Sequence, residues 1–163
     1  MELKSGLCQM VSQGAGSYKF LDGGANNGSA YMSNDSKKRG TFWLVRPQIH
    51  EGFPTGIWMF EQPSPEGQLS DSISGSGVYL VTRMESFDWY PNPQPYIAMG
   101  DDVANAHWMA ETYNSAPGCF NFRSQGYLNG NPGDSTPWRY QVSLGSYGNA
   151  GETSWKIIYT PKG

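Results

Sequence analysis

The chain is poor in charge: only 15% of its 163 residues are Asp, Glu, Lys or Arg, and the formal net charge is −3. Without a basic stripe, the long-range attraction that drives nucleic-acid binding is missing, so no nucleic-acid partner is expected. No apolar run approaches the roughly 18 residues that mark a membrane span, and no membrane insertion is expected. The start, "MELKSGLCQMVSQ", carries Glu2 and no continuous apolar stretch, so it does not read as a signal peptide. A soluble protein is expected, either cytoplasmic or a mature chain whose leader is absent. The two cysteines, Cys8 and Cys119, are too few for a disulfide framework, and no CxxC or Cys/His cluster has the spacing of a zinc site. No metal and no cofactor are expected.

Catalytic signatures are lacking too. There are only two histidines, His50 and His107, and GxSxG, HExxH and phosphate-cradling motifs are absent. The neighbouring Asp101 and Asp102 would point to opposite faces of a strand, away from any common glycosidic bond. An enzyme is therefore not expected. The sequons at Asn27 and Asn34 matter only on a eukaryotic secretory route. A convincing amphipathic helix is also missing, the best candidate being "DDVANAHWMAETYN" from Asp101 to Asn114.

What the chain does have is 14% aromatics, 21 glycines and 11 prolines. That mixture suits many short strands joined by tight turns. About a dozen such runs follow one another, among them "LCQMVSQ", "TFWLVRP", "IWMFEQ", "VYLVTRM", "CFNFRSQ" and "SWKIIY", and the class is all-β, barrel or sandwich.

Three segments open alike, "GLCQMVSQ" at Gly6, "GVYLVTRM" at Gly77 and "GCFNFRSQ" at Gly118. Each leads to a second strand ending in a polar turn ("YKFLDGG", "PYIAMGDD", "GYLNGN") and then to a strand with a tryptophan, Trp43, Trp108 or Trp155. One pattern used three times predicts a single domain over 1–163, with repeats at about 6–76, 77–117 and 118–163. An insertion after the first tryptophan strand takes up the surplus, with the register of 47–76 left open. Trp43 and Trp155 read as core. Cys8 and Cys119 fall near the start of equivalent strands but one residue out of step, which predicts free thiols.

Each repeat also places amides and carboxylates ahead of rings. Asp22, Asn26 and Asn27 precede Tyr31. Asp101, Asp102 and Asn105 precede His107 and Trp108, and Asn129, Asn131 and Asp134 precede Trp138 and Tyr140. A sugar presents an apolar C–H face to a ring and hydroxyls to fixed polar groups, so this combination fits glycan recognition. The same Asp, Asn and Gly residues also serve ordinary turns. Only "KKR" at Lys37–Arg39 is basic enough for a sulfated glycan, and it reads as a solvated turn, so neutral sugars are the expected ligands.

Three units of this kind resemble the β-trefoil family, closest to its lectin branch, the ricin-B-type carbohydrate-binding modules. "FRSQGYLNG" is also similar to the repeat opening of arabinofuranose-binding trefoil modules. The branch's QxW is replaced, with Thr41, Ala106 and Thr153 two residues before the tryptophans. The resemblance implies a non-enzymatic lectin. In it, the polar residue after the second strand holds a sugar hydroxyl and an aromatic on the next strand stacks. Carried over, this pairs Asp22 with Tyr31, Asp101 or Asp102 with His107, and Asn131 or Asp134 with Trp138. A homodimer is compatible with the sequence. The rival reading is a trefoil protease inhibitor acting through a protruding loop at 86–95 or 50–56, and a third is an accessory domain with a protein partner. In "SFDWYPNPQPY", Ser86 to Tyr96, alternating prolines are expected to hold the segment extended and off the ladder.

Overall fold

A computed structural model describes residues 3–24, 29–87, 90–112, 118–130, 142–145 and 151–161. The strands among them are β1 (Gly6–Ser12), β2 (Phe20–Asp22), β3 (Tyr31–Ser33), β4 (Phe42–His50), β5 (Phe53–Pro63) and β6 (Gly75–Phe87). They continue with β7 (Tyr90–Gly100), β8 (Trp108–Thr112), β9 (Cys119–Arg123), β10 (Tyr127–Asn129), β11 (Ser143–Gly145) and β12 (Trp155–Tyr159). Six of them close on themselves. β1 pairs with β4, β4 with β5, β5 with β8, β8 with β9, β9 with β12, and β12 returns to β1, all antiparallel. The other six make three hairpins, β2–β3, β6–β7 and β10–β11, each tied to the barrel through its first strand. Closure removes the barrel's edges.

Three tryptophans set the repeat. A buried indole N–H needs an acceptor, and each finds one on a hairpin. Trp43 Nε1 donates to the Leu21 carbonyl at 2.9 Å, Trp108 to Leu80 at 3.1 Å, and Trp155 to Leu128 at 2.9 Å. On the neighbouring strands their register partners are Cys8, Trp58 and Phe120. The repeating unit is therefore β1–β4, β5–β8 and β9–β12.

This differs from the division expected at 76/77. Gly77 begins no opening strand, because Leu80 in β6 accepts the bond that Leu21 and Leu128 accept in their second strands. The opening strand of the second unit is β5, and Phe60 stands where Met10 and Phe122 stand. Those three side chains are fully buried, with the Phe60 and Phe122 rings edge-on at 4.9 Å and Trp108 6.4 Å from Phe60. Each such burial contributes about 1.5–3 kcal/mol. The helical candidate 101–114 resolves into a 3-10 turn, Val103–Asn105, followed by β8. Its residues past 112 lie outside the described ones.

The cysteines follow the same equivalence. Cys8 matches Phe120 and Cys119 matches Leu7, one step apart, and both are buried free thiols. Burial pushes the Cys8 thiol well above its ordinary range.

The surplus residues after Trp43 are housed in the β4–β5 hairpin, the 64–74 loop and the long arms of β6 and β7, 13 and 11 residues against three in β2. Arg39 pins that loop. Its Nε donates to the Ser64 carbonyl at 3.0 Å, and Nη2 donates to Ser64, Glu66 and Gly67 carbonyls at 2.7, 3.2 and 2.9 Å. The "KKR" segment is thus partly an internal brace and not simply a solvated turn. Contrary to expectation, "YPNPQP" is on the ladder: Gln94 pairs with Glu85 and Tyr96 with Arg83. Proline has no N–H, so alternate placement at 91, 93 and 95 lets the intervening residues bond β6 while the prolines face away. Among the described strands β7 ends the sheet.

Candidate functional site

The tryptophan–leucine bonds and the hairpin registers define one equivalent place in each unit, at the residue after the leucine and the residue opposite it. In the first unit these are Asp22 and Tyr31, in the second Val81 and Ala98, and in the third Asn129 and Ser143. The three places share a backbone and differ in chemistry.

Asp22 closes β2 and is 1% exposed. Its Oδ1 accepts the Gly24 N–H at 2.8 Å, a local Asx turn that sends the chain away from the strand. The carboxylate is packed from behind by Gly40, where a Cβ would overlap Asp22 Oδ1. A second contact locks this arrangement, the Gly23 N–H donating to the Gly40 carbonyl at 2.9 Å. The other oxygen, Oδ2, is buried and makes no hydrogen bond of good geometry among the described residues, while the Tyr31 hydroxyl lies close to the carboxylate. Burial raises the Asp22 pKa above its ordinary value of 3.8, opposed by the Gly24 N–H, the Lys38 charge and the Tyr31 hydroxyl. Tyr31 is half-buried, and its pKa is raised by burial and then by Asp22. The result is a desolvated carboxylate beside a partly open ring.

The third unit repeats half of this. Asn129 is at the end of β10, and its Oδ1 is likewise buried without a partner among the described residues. Opposite it is Ser143, with no ring. In the second unit both places are apolar and buried.

The expected second-unit residues lie elsewhere. Asp101 and Asp102 follow the third strand, at the places of Asn34 and Asp35, because Gly100 pairs with Tyr79 as Ser33 pairs with Phe20. Asp102 is engaged by Arg83, Nε to Oδ2 at 3.1 Å and Nη2 to Oδ1 at 2.7 Å, and by Asn105 Nδ2 at 2.9 Å. Those bonds, Arg83 first, hold its carboxyl well below the ordinary range. Asp101 and Asn105 are exposed. His107 directly precedes the buried Trp108, and its Nε2 lies 3.3 Å from Gln48 Nε2 on β4. The structure does not pair it with a carboxylate as Tyr31 is paired. Asn26, Asn27, Asn131, Asp134, Trp138 and Tyr140 lie outside the described residues.

Sequence reasoning missed Gly24, Gly40 and Gln62, which shape the ground around Asp22. Gln62 Nε2 donates to the carbonyls of Gly40 and Phe42, both at 3.1 Å. Gln62 stands where Ser12 and Ser124 stand in the other two units, so no repeated residue marked it in the sequence.

No protein-family model matches the sequence, and no curated protein sequence matches it. Solved structures do. The ricin B-like lectin of Macrolepiota procera, in complex with lactose, is similar over 98% of this chain and 100% of its own, with 17% identity and a TM-score of 0.66. The Rhizoctonia solani agglutinin is similar over 98% and 99%, with 11% identity and a TM-score of 0.67. The designed threefold-symmetric protein ThreeFoil is similar over 94% and 99%, with 14% identity and a TM-score of 0.60. At these identities the likeness is one of fold, and the fold of this chain is the β-trefoil.

Proposed function

We propose that this protein is a lectin that binds neutral glycans and leaves them chemically unchanged, with Asp22 and Tyr31 as its principal site. The observation that carries this reading is a buried oxygen with no hydrogen-bond partner among the described residues at two equivalent places, Asp22 Oδ2 and Asn129 Oδ1. A buried acceptor left unmet costs about 1–3 kcal/mol. A sugar hydroxyl would relieve that cost by donating to it. The half-buried ring of Tyr31 offers a face for the sugar's C–H groups. Asn26 and Asn27 are the further amides of this site. Around Asn129, the residues Asn131, Asp134, Trp138 and Tyr140 would supply a second, weaker site. Val81 and Ala98 leave the second unit without one. The fold agrees with the reading but does not carry it, since one fold hosts many functions.

An array of neutral glycans tests it, with the wild type beside Asp22→Asn, Asp22→Ala and Asn129→Ala. The wild type should retain a defined set of glycans. Asp22→Ala should weaken them by roughly 10–100-fold, the value of a hydrogen bond to a charged group. A blank wild-type array, or binding indifferent to both positions, would overturn the proposal.

A further inference from the structure

A cleft of about 100 Å³ lies against the first-unit site, and the two share the backbone of Gly24 and Gly40. That volume holds several water-sized groups, since one water needs about 10–15 Å³ by this measure. Pro63, Pro65 and Val78 form its far side, so the cleft spans two units of the fold and belongs to neither alone. It exists because the 64–74 loop is held over the first unit by Arg39.

Its polar side chains are Gln62, Arg39 and Ser76, and Ser76 Oγ donates to the Gln62 carbonyl at 2.9 Å. Gln62 uses both amide hydrogens on the Gly40 and Phe42 carbonyls, which orients the amide. This leaves Gln62 Oε1 as an acceptor with no hydrogen-bond partner among the described residues. Arg39 gives Nε and Nη2 to loop carbonyls, and its Nη1 has no partner among the described residues. One acceptor and one cationic donor, set against C–H walls of proline and valine, suit a ring that carries hydroxyls on an apolar frame. A peptide would need a row of backbone partners, and a lipid tail would leave the two polar groups unmet.

We infer that this cleft is a second subsite, which takes the neighbouring sugar ring of a glycan whose first ring sits at Asp22 and Tyr31. The inference rests on the proposed lectin reading and deepens it: the protein reads an oligosaccharide and not a lone monosaccharide. The loop that frames the cleft, 64–74 between β5 and β6, is longer than 13–19 between β1 and β2 or 124–126 between β9 and β10.

Val78→Phe and Pro65→Trp each add bulk to the cleft's far side, one from β6 and one from the 64–74 loop, and neither belongs to the Asp22 and Tyr31 site. Calorimetric titration of wild type and both variants would compare galactose with lactose, and likewise each monosaccharide with its extended form among the array hits. For the wild type, the extended glycan should bind about tenfold or more tightly than its terminal monosaccharide, the worth of about one packed, hydrogen-bonded contact. Both variants should lose that advantage, keep the monosaccharide affinity and melt as the wild type does. If monosaccharide binding depends on Asp22 but the extended form gains nothing, or keeps its gain in both variants, the subsite is overturned while the lectin reading stands. If no sugar binds the wild type, both fall together.

Discussion

Asp22 and Asp102 are both carboxylates at strand ends, one in the first unit and one in the second, and their surroundings push them apart. Asp22 is buried, has one oxygen without a partner, and its pKa is raised. Asp102 keeps its side chain 30% exposed, spends both oxygens on Arg83 and Asn105, and its pKa is lowered. A carboxylate whose capacity is already filled holds the fold together. One held dry and half satisfied has capacity left for a ligand. The same residue type one unit apart thus sits in two opposite environments, and hydrogen-bond accounting tells them apart where composition does not.

The largest expected effect tests the equivalence on which that comparison stands. Trp43→Ala, Trp108→Ala and Trp155→Ala should each cost about 3–5 kcal/mol of stability. For a chain of this size that lowers the melting temperature by about 6–20 °C. If one of the three were silent, the unit boundaries drawn from their bonds would be wrong.

Next comes acid. The proposed sugar site uses ionised Asp22, and its raised pKa means that affinity there should start to fall on acidification while still above the ordinary carboxylate value of 3.8. For stability the signs oppose. Asp22 favours the folded state below 3.8, and that contribution is lost as pH rises through its folded pKa. Asp102 stabilises above 3.8, and its contribution is lost as pH falls through its depressed folded pKa. Melting temperatures of Asp22→Asn and Asp102→Asn, followed from neutral pH down past 3.8, should therefore deviate from wild type in opposite directions. Deviations of the same sign would dissolve the comparison.

Tyr31→Ala should weaken binding by about two- to tenfold, the worth of an aromatic contact of about 0.5–1.5 kcal/mol, with Tyr31→Phe milder. Asp102→Ala should leave glycan binding unchanged and cost no more than about 1 kcal/mol, as a half-exposed ion pair does. Smallest of all, the non-reduced and reduced protein should have the same mass. A difference of two protons would show Cys8 bonded to Cys119.

Much of this architecture is legible in the chain, because tryptophans in apolar strands and glycine-punctuated runs report the barrel directly. Leu21, Leu80 and Leu128 could not be matched by eye, since what equates them is an indole bond across space. "GVYLVTRM" opens with glycine and alternates like "GLCQMVSQ", so a second strand passes for a first. That one-strand slip carried Asp101 and Asp102 into a place that Val81 and Ala98 occupy. That Asp22 and Tyr31 come together was readable because β2 and β3 are short and follow each other closely. The cleft beside them was not, because it joins Gly24 and Gly40 to Val78, residues far apart in the chain.

The prolines of β7 have a further consequence, for the protein in a crowd. A long, exposed hairpin is the usual point at which one chain's sheet grows into another's, because its outer rim offers free N–H groups. Here every second residue from 91 to 95 has no hydrogen to offer. A partner can lie against this arm and be recognised through its side chains, Met84 and Tyr96 among them, but its backbone cannot zip onto the rim. Along this stretch the prolines withhold the N–H groups that a neighbouring copy's strand would need.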